Sequence, residues 1–325
     1  MAEPAQAPRE PSTDSDQPYL SVVSPVYRAE ACLEELHKRL VAALEPLGKP
    51  FEIVLVEDCG PDASWPLIER IAASDPRVRG LQLTRNFGQH HAVTAGLETS
   101  RGKWVVVMDC DLQDRPEEIP AMLAKVEQGD LHCVLARRSQ RSDSLFKRIQ
   151  SRAFYWVFCT LTDLDYDGAV SNFGVASRQV VDDVLRMREA VRYYPGFLYW
   201  LGYATAFHDV AHDPRFAGET SYTFWKLLKH SQVIILAHSN KPLYLCVAAG
   251  FMVALTSILA GLCYLVYVSL YGSRVEGWPS LMISIFFSTG AIVSSLGLLG
   301  LYLGQIFTEV KRRPLYVVRR STYRD

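Results

Sequence analysis

The first half of the chain alternates between two hydrophobic patterns. Short runs rich in β-branched residues predict strands, and the segments between them carry apolar residues at helical spacing. The predicted strands are 19–25, 51–56, 78–83 and 104–108. The predicted helices are 34–44, 64–71, 88–98 and 116–128. Because strands alternate with helices, we expect an α/β fold with a mainly parallel sheet.

The C-terminal part contains two long apolar runs, 243–271 and 278–307. A run of about 20 apolar residues crosses a hydrocarbon core of about 30 Å, so these runs predict a two-helix transmembrane hairpin. The short loop between them holds one Arg and one Glu, whereas basic residues flank both outer ends. By the positive-inside tendency, both chain termini face the cytoplasm.

Two other segments, 144–161 and 223–238, mix aromatic and aliphatic residues with Lys and Arg. This composition predicts amphipathic helices that lie in the membrane interface, with ordinary core helices as the alternative. The predicted parts of the chain are a disordered tail 1–18, a cytosolic catalytic domain 19–222, an interfacial helix and linker 223–242, two transmembrane helices within 243–307, and a basic cytosolic C-terminal segment 308–325.

Composition narrows the class of protein. The 325 residues include 34 Lys and Arg against 35 Asp and Glu, so bulk charge gives no reason to expect nucleic-acid binding. Seven cysteines occur without a CxxC pair, a pattern typical of reduced thiols in a cytosolic domain rather than of disulfides or zinc sites.

The candidate chemistry begins with Asp109 and Asp111, which directly follow the fourth predicted strand. Two residues apart in extended backbone, their side chains project to the same side. Carboxylate oxygens at that spacing suit Mg²⁺ or Mn²⁺, and the ion would in turn hold diphosphate oxygens. For this pair alone, a solvated acidic turn is the alternative.

Four motifs occur in order along the chain. They are Ser24-Pro25-Val26-Tyr27 with Glu30, then Val56-Glu57-Asp58, then Arg85-Asn86-Phe87-Gly88-Gln89, then Asp109-Cys110-Asp111-Leu112-Gln113-Asp114. Together they resemble inverting family 2 glycosyltransferases with the GT-A fold. The resemblance extends from residue 19 to residue 320 and is strongest to polyprenyl-phosphate glycosyltransferases, which include bactoprenol glucosyltransferases, dolichyl-phosphate mannose synthases and the undecaprenyl-phosphate aminoarabinose transferase.

The resemblance implies roles for matching positions. Catalytic roles fall on Asp109, Asp111, Gln113 and Arg215, with Asp109 and Asp111 as the metal ligands. Nucleotide-sugar binding falls on Pro25, Tyr27, Glu30, Asp58, Arg85, Asn86, Gly88, Arg137 and Asn172. Binding of the lipid phosphate falls on Lys147, Arg148, Ser151 and Ser221.

Some positions depart from the family pattern or leave alternatives open. Glu57 stands where the family usually has Asp, and Asn172 stands where many relatives carry an acid that has been considered a base. Asn cannot accept the proton, but an acceptor phosphate is already anionic near neutral pH. His90 and His91 either contact the diphosphate or are exposed polar residues.

The resemblance implies a metal-dependent enzyme that transfers a sugar from a nucleotide sugar, with UDP favoured, to undecaprenyl phosphate for cell-envelope modification such as that of lipopolysaccharide. It also implies a location in the bacterial inner membrane and a homo-oligomer, since tetramers occur among relatives. Two alternatives remain: a glycosyltransferase that acts on another membrane glycolipid, and a non-catalytic scaffold that binds nucleotide sugar.

Overall fold

The computed structural model describes residues 17–138, 160–161, 170–210, 235, 239–271 and 277–323. The described residues form two compact units. The first contains 17–138, 170–210 and 314–323, and the second contains 160–161, 235, 239–271 and 277–313.

The first unit is built on one eight-stranded sheet. Its strands are β1 (Leu20–Val26), β2 (Phe51–Glu57), β3 (Val78–Leu83), β4 (Trp104–Val107), β5 (Cys133–Arg138), β6 (Val170–Ser177), β7 (Thr205–Val210) and β8 (Val318–Ser321). Their order across the sheet is β7-β5-β6-β4-β1-β2-β3-β8.

The central strands of this sheet are parallel. β1 pairs in parallel with β2 and β4, and β2 pairs in parallel with β3. The other side contains the antiparallel strand β6 between β4 and β5, and β8 runs antiparallel at the β3 edge. All seven residues of β1 and of β2 are buried, which is typical of parallel strands covered on both faces.

Helices cover both faces of the sheet. They are α1 (Glu30–Leu44), α2 (Ser64–Ser74), α3 (Gln89–Thr99), α4 (Ile119–Glu127), α5 (Arg178–Arg186) and α6 (Tyr194–Leu201), with short 3₁₀ turns at Glu45–Leu47 and Pro116–Glu118. One apolar cluster joins α1, α2 and α4 to one face, and a second joins α3, α5 and α6 to the other.

Helix α3 packs closely on the sheet because of Gly96. A Cβ atom at this position would lie 2.3 Å from Cγ1 of Val23 on β1 and 3.2 Å from Cγ2 of Val56 on β2. Glycine therefore permits a helix-to-sheet approach that any larger residue would prevent. This matters for the candidate site, because the first turn of α3 lies at the carboxyl ends of these strands.

The last described residues add a strand that the sequence analysis did not predict. Thr84 N donates a hydrogen bond to Val317 O (2.9 Å), and Thr322 N donates to Gly80 O (3.0 Å). The Tyr316 hydroxyl donates to a carboxylate oxygen of Glu98 in α3. The C-terminal segment thus forms the edge of the sheet beside β3.

The second unit contains α7 (Lys241–Tyr271) and α8 (Trp278–Val310), both long and apolar enough to cross a membrane. Cys246 Sγ donates to Ser295 Oγ at 3.2 Å, and the Tyr302 hydroxyl donates to Ser239 O at 2.8 Å. These contacts join residues at or just before the beginning of α7 to the second half of α8, as in an antiparallel hairpin. The predicted helices at 144–161 and 223–238 lie almost wholly outside the described residues and stay predictions.

Candidate active site

The carboxyl ends of β1, β2 and β4 lie side by side, because β1 pairs with both neighbours. Strand-like hydrogen bonding continues past the strands: Asp58 N donates to Val26 O (2.9 Å), and Met108 N donates to Val23 O (3.1 Å). Pro25 is buried near the end of β1. The three segments that follow these strands therefore meet at one edge, which is where open α/β sheets bind ligands.

Backbone strain marks the same edge. Among the described residues, four non-glycine residues have positive φ, and three of them follow β1, β2 and β4: Arg28 (53°), Cys59 (51°) and Leu112 (61°). A left-handed conformation costs a non-glycine residue roughly 1–2 kcal/mol. Strain of this kind clusters at functional sites, where the surrounding structure maintains it. The fourth residue, Arg312, follows α8.

The acidic segment after β4 alternates between buried and partly exposed side chains. Cys110 and Leu112 are buried, at 8% and 2% exposure, whereas Asp109 and Asp111 are partly exposed. Asp111 Oδ1 accepts a hydrogen bond from Gln113 N at 3.2 Å. Burial raises the pKa of the Cys110 thiol well above its ordinary value, so this cysteine is a neutral core residue. The two aspartates share the accessible side of the segment.

Asp58 anchors the segment that precedes α3. Its Oδ1 accepts from Phe87 N at 2.7 Å, and its Oδ2 accepts from Gly88 N at 2.8 Å. Gly88 has φ +101°, a conformation that favours glycine. Arg85, whose guanidinium stacks 4.0 Å from the Phe87 ring centroid, and Asn86 are exposed in the same segment. The carboxylate of Asp58 thus positions the Arg85–Gly88 turn across the strand ends.

Gln89, the first residue of α3, reaches the acidic segment. Its Nε2 donates to Asp109 Oδ1 at 2.6 Å. The sequence analysis quoted Gln89 within a motif but gave it no role, because no spacing rule connects it to a residue 20 positions later. Together with the Asp58 contacts, this bond joins the end of β2 to the end of β4.

Tyr27 and Glu30 follow β1. Tyr27 is 44% exposed, with the Arg28 guanidinium 5.4 Å from its ring centroid. The Glu30 side chain accepts from Ala63 N at 3.2 Å, while Asp62 Oδ2 accepts from Glu30 N at 3.1 Å. Glu30 therefore helps to join the starts of α1 and α2. Its predicted role in the nucleotide pocket stays a prediction.

Asn172 and Arg137 lie on the antiparallel side of the sheet. The antiparallel β4–β6 register ends with Val107 opposite Gly174, and Asn172 lies two residues before Gly174 on β6, beyond the carboxyl end of β4. Arg137 on β5 makes a bidentate ion pair with Asp209 on β7, with distances of 2.7 and 3.2 Å. Asn172 therefore lies near the edge of the sheet where the acidic segment begins. The Arg137 guanidinium instead forms its ion pair with Asp209.

The segment after α5 packs against the beginning of α3. His90 meets the Tyr193 ring edge-on, with centroids 5.4 Å apart, and burial lowers the pKa of His91. Arg192 is 5% exposed and donates to Thr94 Oγ1 at 3.1 Å. Burial lowers the pKa of Arg192 to about 10, so it remains a cation at neutral pH. Both histidines are partly buried beside this segment.

Five predicted residues lie outside the described part of the chain. They are Arg215, for which a catalytic role was predicted, and Lys147, Arg148, Ser151 and Ser221, for which contact with the lipid phosphate was predicted. Their roles stay predictions.

The carboxylates at this edge fit a divalent cation that is shared with a substrate. Among residues 17–138, 170–210 and the other described positions, no group of three or more His, Cys, Asp or Glu side chains could hold a metal ion. Asp109 and Asp111 offer two carboxylates, the number that Mg²⁺ commonly takes from a protein when water and substrate phosphates supply the rest. The arrangement suits Mg²⁺ or Mn²⁺ bound jointly with a diphosphate.

The sequence is similar to that of known proteins along most of its length. The sequence profile described as glycosyl transferase family 2 matches residues 21–184. The chain is 33% identical over 302 residues to the prophage bactoprenol glucosyl transferase homolog of Escherichia coli strain K12, covering 93% of this chain and 98% of that protein. It is 35% identical over 304 residues to the undecaprenyl-phosphate 4-deoxy-4-formamido-L-arabinose transferase of Shewanella sediminis, covering 93% and 92% of the two chains.

A solved structure is similar in fold to this chain. It is glucosyl-3-phosphoglycerate synthase from Mycobacterium tuberculosis in complex with Mn²⁺, UDP and phosphoglyceric acid, with a TM-score of 0.50 and 16% identity. The match covers 68% of this chain and 77% of that one. At this identity the likeness concerns the fold alone, and it confirms the predicted GT-A class.

Proposed function

The chain belongs to glycosyl transferase family 2, and we propose that it transfers a sugar from a nucleotide sugar to a polyprenyl phosphate. The observation that carries the proposal is the Asp109–Asp111 segment at the strand edge, in a chain that aligns over 93% of its length with proteins named for bactoprenol and undecaprenyl phosphate. Undecaprenyl phosphate is the proposed acceptor and a UDP-sugar the proposed donor.

The donor would lie across the ends of β1, β2 and β4. Tyr27, which is exposed beside the end of β1, would contact the nucleoside. Asp58 would act mainly by holding the turn at Phe87 and Gly88, since its two oxygens accept their backbone N–H groups. Asp109 and Asp111 would hold the divalent cation. The bound cation would stabilise the negative charge that develops on the departing diphosphate.

Transfer requires the acceptor phosphate oxygen to attack C1 of the sugar as the C1–O bond to the nucleoside diphosphate breaks. A single displacement of this kind inverts the anomeric centre. The acceptor oxygen is already anionic, so Asn172 need not remove a proton. The protein would act chiefly by aligning the two substrates, which can lower a barrier by roughly 7–11 kcal/mol.

The second unit supports a membrane-bound acceptor. At about 1.5 Å per residue, the 31 residues of α7 and the 33 residues of α8 each exceed a hydrocarbon core of about 30 Å. Large apolar side chains on both helices are exposed, for example Phe251 at 72% and Phe286 at 73%. We propose that this hairpin lies in the bacterial inner membrane, with the first unit on the cytoplasmic side. A homo-oligomer stays a prediction.

Two alternatives are separable by experiment. A transferase for another glycolipid would require a different lipid acceptor, and a scaffold that binds nucleotide sugar would form no product. Purified full-length protein would be incubated with Mg²⁺ or Mn²⁺, undecaprenyl phosphate and a panel of nucleotide sugars, with mass detection of the lipid product. A polyprenyl-monophosphate sugar supports the proposal, and nucleotide binding without any such product contradicts it.

The matched variants are Asp111→Asn and Asp130→Asn. We expect Asp111→Asn to reduce turnover at least about a hundredfold, because charge on the leaving group would lose its stabilisation. Asp130 is exposed in the turn after α4 and should tolerate the same change. Near-normal turnover by Asp111→Asn would exclude the metal role of this residue.

A further inference from the structure

We propose that Gln89 is a positioning residue for Asp109, and that it sets the affinity of the site for the divalent cation. The inference rests on the proposed function, because it concerns the cation that accompanies the nucleotide. It starts from the hydrogen bond between Gln89 Nε2 and Asp109 Oδ1, which is 2.6 Å long. Gln89 itself contacts neither substrate in this proposal.

Backbone hydrogen bonds of the residues before and after Gln89 fix its position in the chain. Gly88 precedes it with φ +101°, and Gly88 N donates to Asp58 Oδ2 at 2.8 Å. His91 N and Ala92 N both donate to Gly88 O, at 3.0 and 3.1 Å, which closes the first turn of α3. The backbone of Gln89 therefore has a defined position at the start of α3.

The bond spans the sheet edge. Asp58 follows β2 and Asp109 follows β4, and β1 lies between these strands. Helix α3 packs on β1 and β2, with Gly96 allowing its close approach. The Gln89 side chain thus connects the end of β2 and the start of α3 to the Asp109 carboxylate, which follows β4.

A neutral amide is suited to this task. It donates to one carboxylate oxygen and restricts rotation of the carboxylate, without adding a positive charge that would compete with the cation. Residues that hydrogen-bond to metal ligands commonly change metal affinity by about 10- to 100-fold when they are replaced. We expect a loss in that range when the amide is removed.

The test compares Gln89→Met with Gln128→Met in the full-length protein. Methionine has a similar length and no N–H donor, and Gln128 is exposed at the end of α4. Free Mn²⁺ would be measured by electron paramagnetic resonance during titration in the presence of UDP. Binding of UDP would be measured separately in EDTA, where no cation takes part.

The proposal predicts a rise of about 10- to 100-fold in the Mn²⁺ dissociation constant for Gln89→Met. It also predicts UDP binding in EDTA within about twofold of wild type, and no change in either quantity for Gln128→Met. An unchanged Mn²⁺ affinity would overturn the proposal. A loss of UDP binding in EDTA by the same factor would also overturn it, since Gln89 would then only support the turn.

Two features keep the test decisive. If Gln89→Met does not fold, as judged by its melting curve, Gln89→Ala removes the same donor without placing a long side chain at the edge. Because neither titration contains a lipid acceptor, the result is independent of which acceptor the enzyme uses. If the wild-type protein bound Mn²⁺ and UDP but formed no lipid-linked sugar, the proposed function would be contradicted. The effect of Gln89 on Mn²⁺ affinity could still be measured in that case.

Discussion

Replacing Asp58 with Asn should loosen the turn at Phe87 and Gly88 and weaken donor binding. The carboxylate accepts the two backbone N–H groups at 2.7 and 2.8 Å, and it is 3% exposed. An Asn side chain has one carbonyl oxygen, so it can accept from one of them through that atom. Its NH₂ group would then face the other N–H, which leaves that donor without an acceptor.

The size of the effect follows from two opposing contributions. Hydrogen bonds to a charged group contribute about 1.5–3 kcal/mol each, and Asn would keep one neutral bond of about 0.5–1.5 kcal/mol. Burial raises the pKa of Asp58, while the N–H groups of Phe87 and Gly88 lower it. A carboxyl with a raised folded pKa loses stabilisation as pH rises through that pKa, so Asn also relieves a desolvation cost at neutral pH. We expect a net loss of about 1–3 kcal/mol.

The loss should appear in local opening and in binding. Hydrogen exchange at the amides of Phe87 and Gly88 should accelerate, and the dissociation constant for UDP with Mn²⁺ should rise by roughly 5- to 150-fold, since 1.4 kcal/mol is a factor of ten. Asp130→Asn is the control. Unchanged exchange at both amides, with normal nucleotide affinity, would refute the assignment of Asp58 as the anchor of this turn.

Three further changes test other parts of the structure. Arg77 holds the pKa of Asp75 well below its ordinary value, so this stabilisation is present above the unfolded pKa of about 3.9 and is lost as pH falls through the lower folded pKa. Asp75→Asn should therefore melt below wild type at pH 7, and equal melting temperatures at pH 7 would contradict this. Glu52→Ala removes a buried carboxylate that accepts from Ser21 Oγ and from Arg101 N, each at 2.7 Å, and it should lower the free energy of unfolding in urea by about 1–3 kcal/mol while nucleotide binding is retained. An unchanged unfolding midpoint would contradict the stabilising role of this carboxylate. Gly96→Val would place Cβ 2.3 Å from Val23 Cγ1, so we expect the free energy of unfolding to fall by about 1–3 kcal/mol and Mn²⁺-dependent UDP binding to weaken. Normal UDP binding would show that the position of α3 does not govern the site.

The central fold was predictable because its strands are buried on both faces. Runs such as Val22 to Val26 and Ile53 to Val56 carry the β-branched, apolar character that parallel strands require, and helices separate them in the chain. The bounds of the four predicted strands, which correspond to β1 to β4, shift by no more than about one residue, which is within the usual fraying of element ends.

The edge strand β8 was not predictable in the same way. Its residues, Val318 to Ser321, are exposed and include two arginines, so no hydrophobic period distinguishes them from a basic tail. Their pairing with β3 depends on residues more than two hundred positions earlier, such as Gly80, whose N–H donates to Thr322 Oγ1. Local sequence carries no information on a contact of this range.

The candidate site was predictable in its position but not in its connections. Asp58, Asp109 and Asp111 follow buried strands, and the carboxyl-end rule placed them together. The bonds from Asp58 to the turn before α3, and from Gln89 to Asp109, depend on the backbone of that turn. The positive φ of Gly88 is one of its determinants, and it becomes visible only in three dimensions.

The central claim is that Asp109 and Asp111 hold a divalent cation together with the diphosphate of the donor. Crystals of the full-length protein soaked with Mn²⁺ and UDP, with diffraction recorded at the manganese absorption edge, test it most directly. We predict one anomalous peak bridging these two carboxylates and the nucleotide diphosphate. UDP bound at the strand edge with no manganese at the two aspartates would contradict the claim.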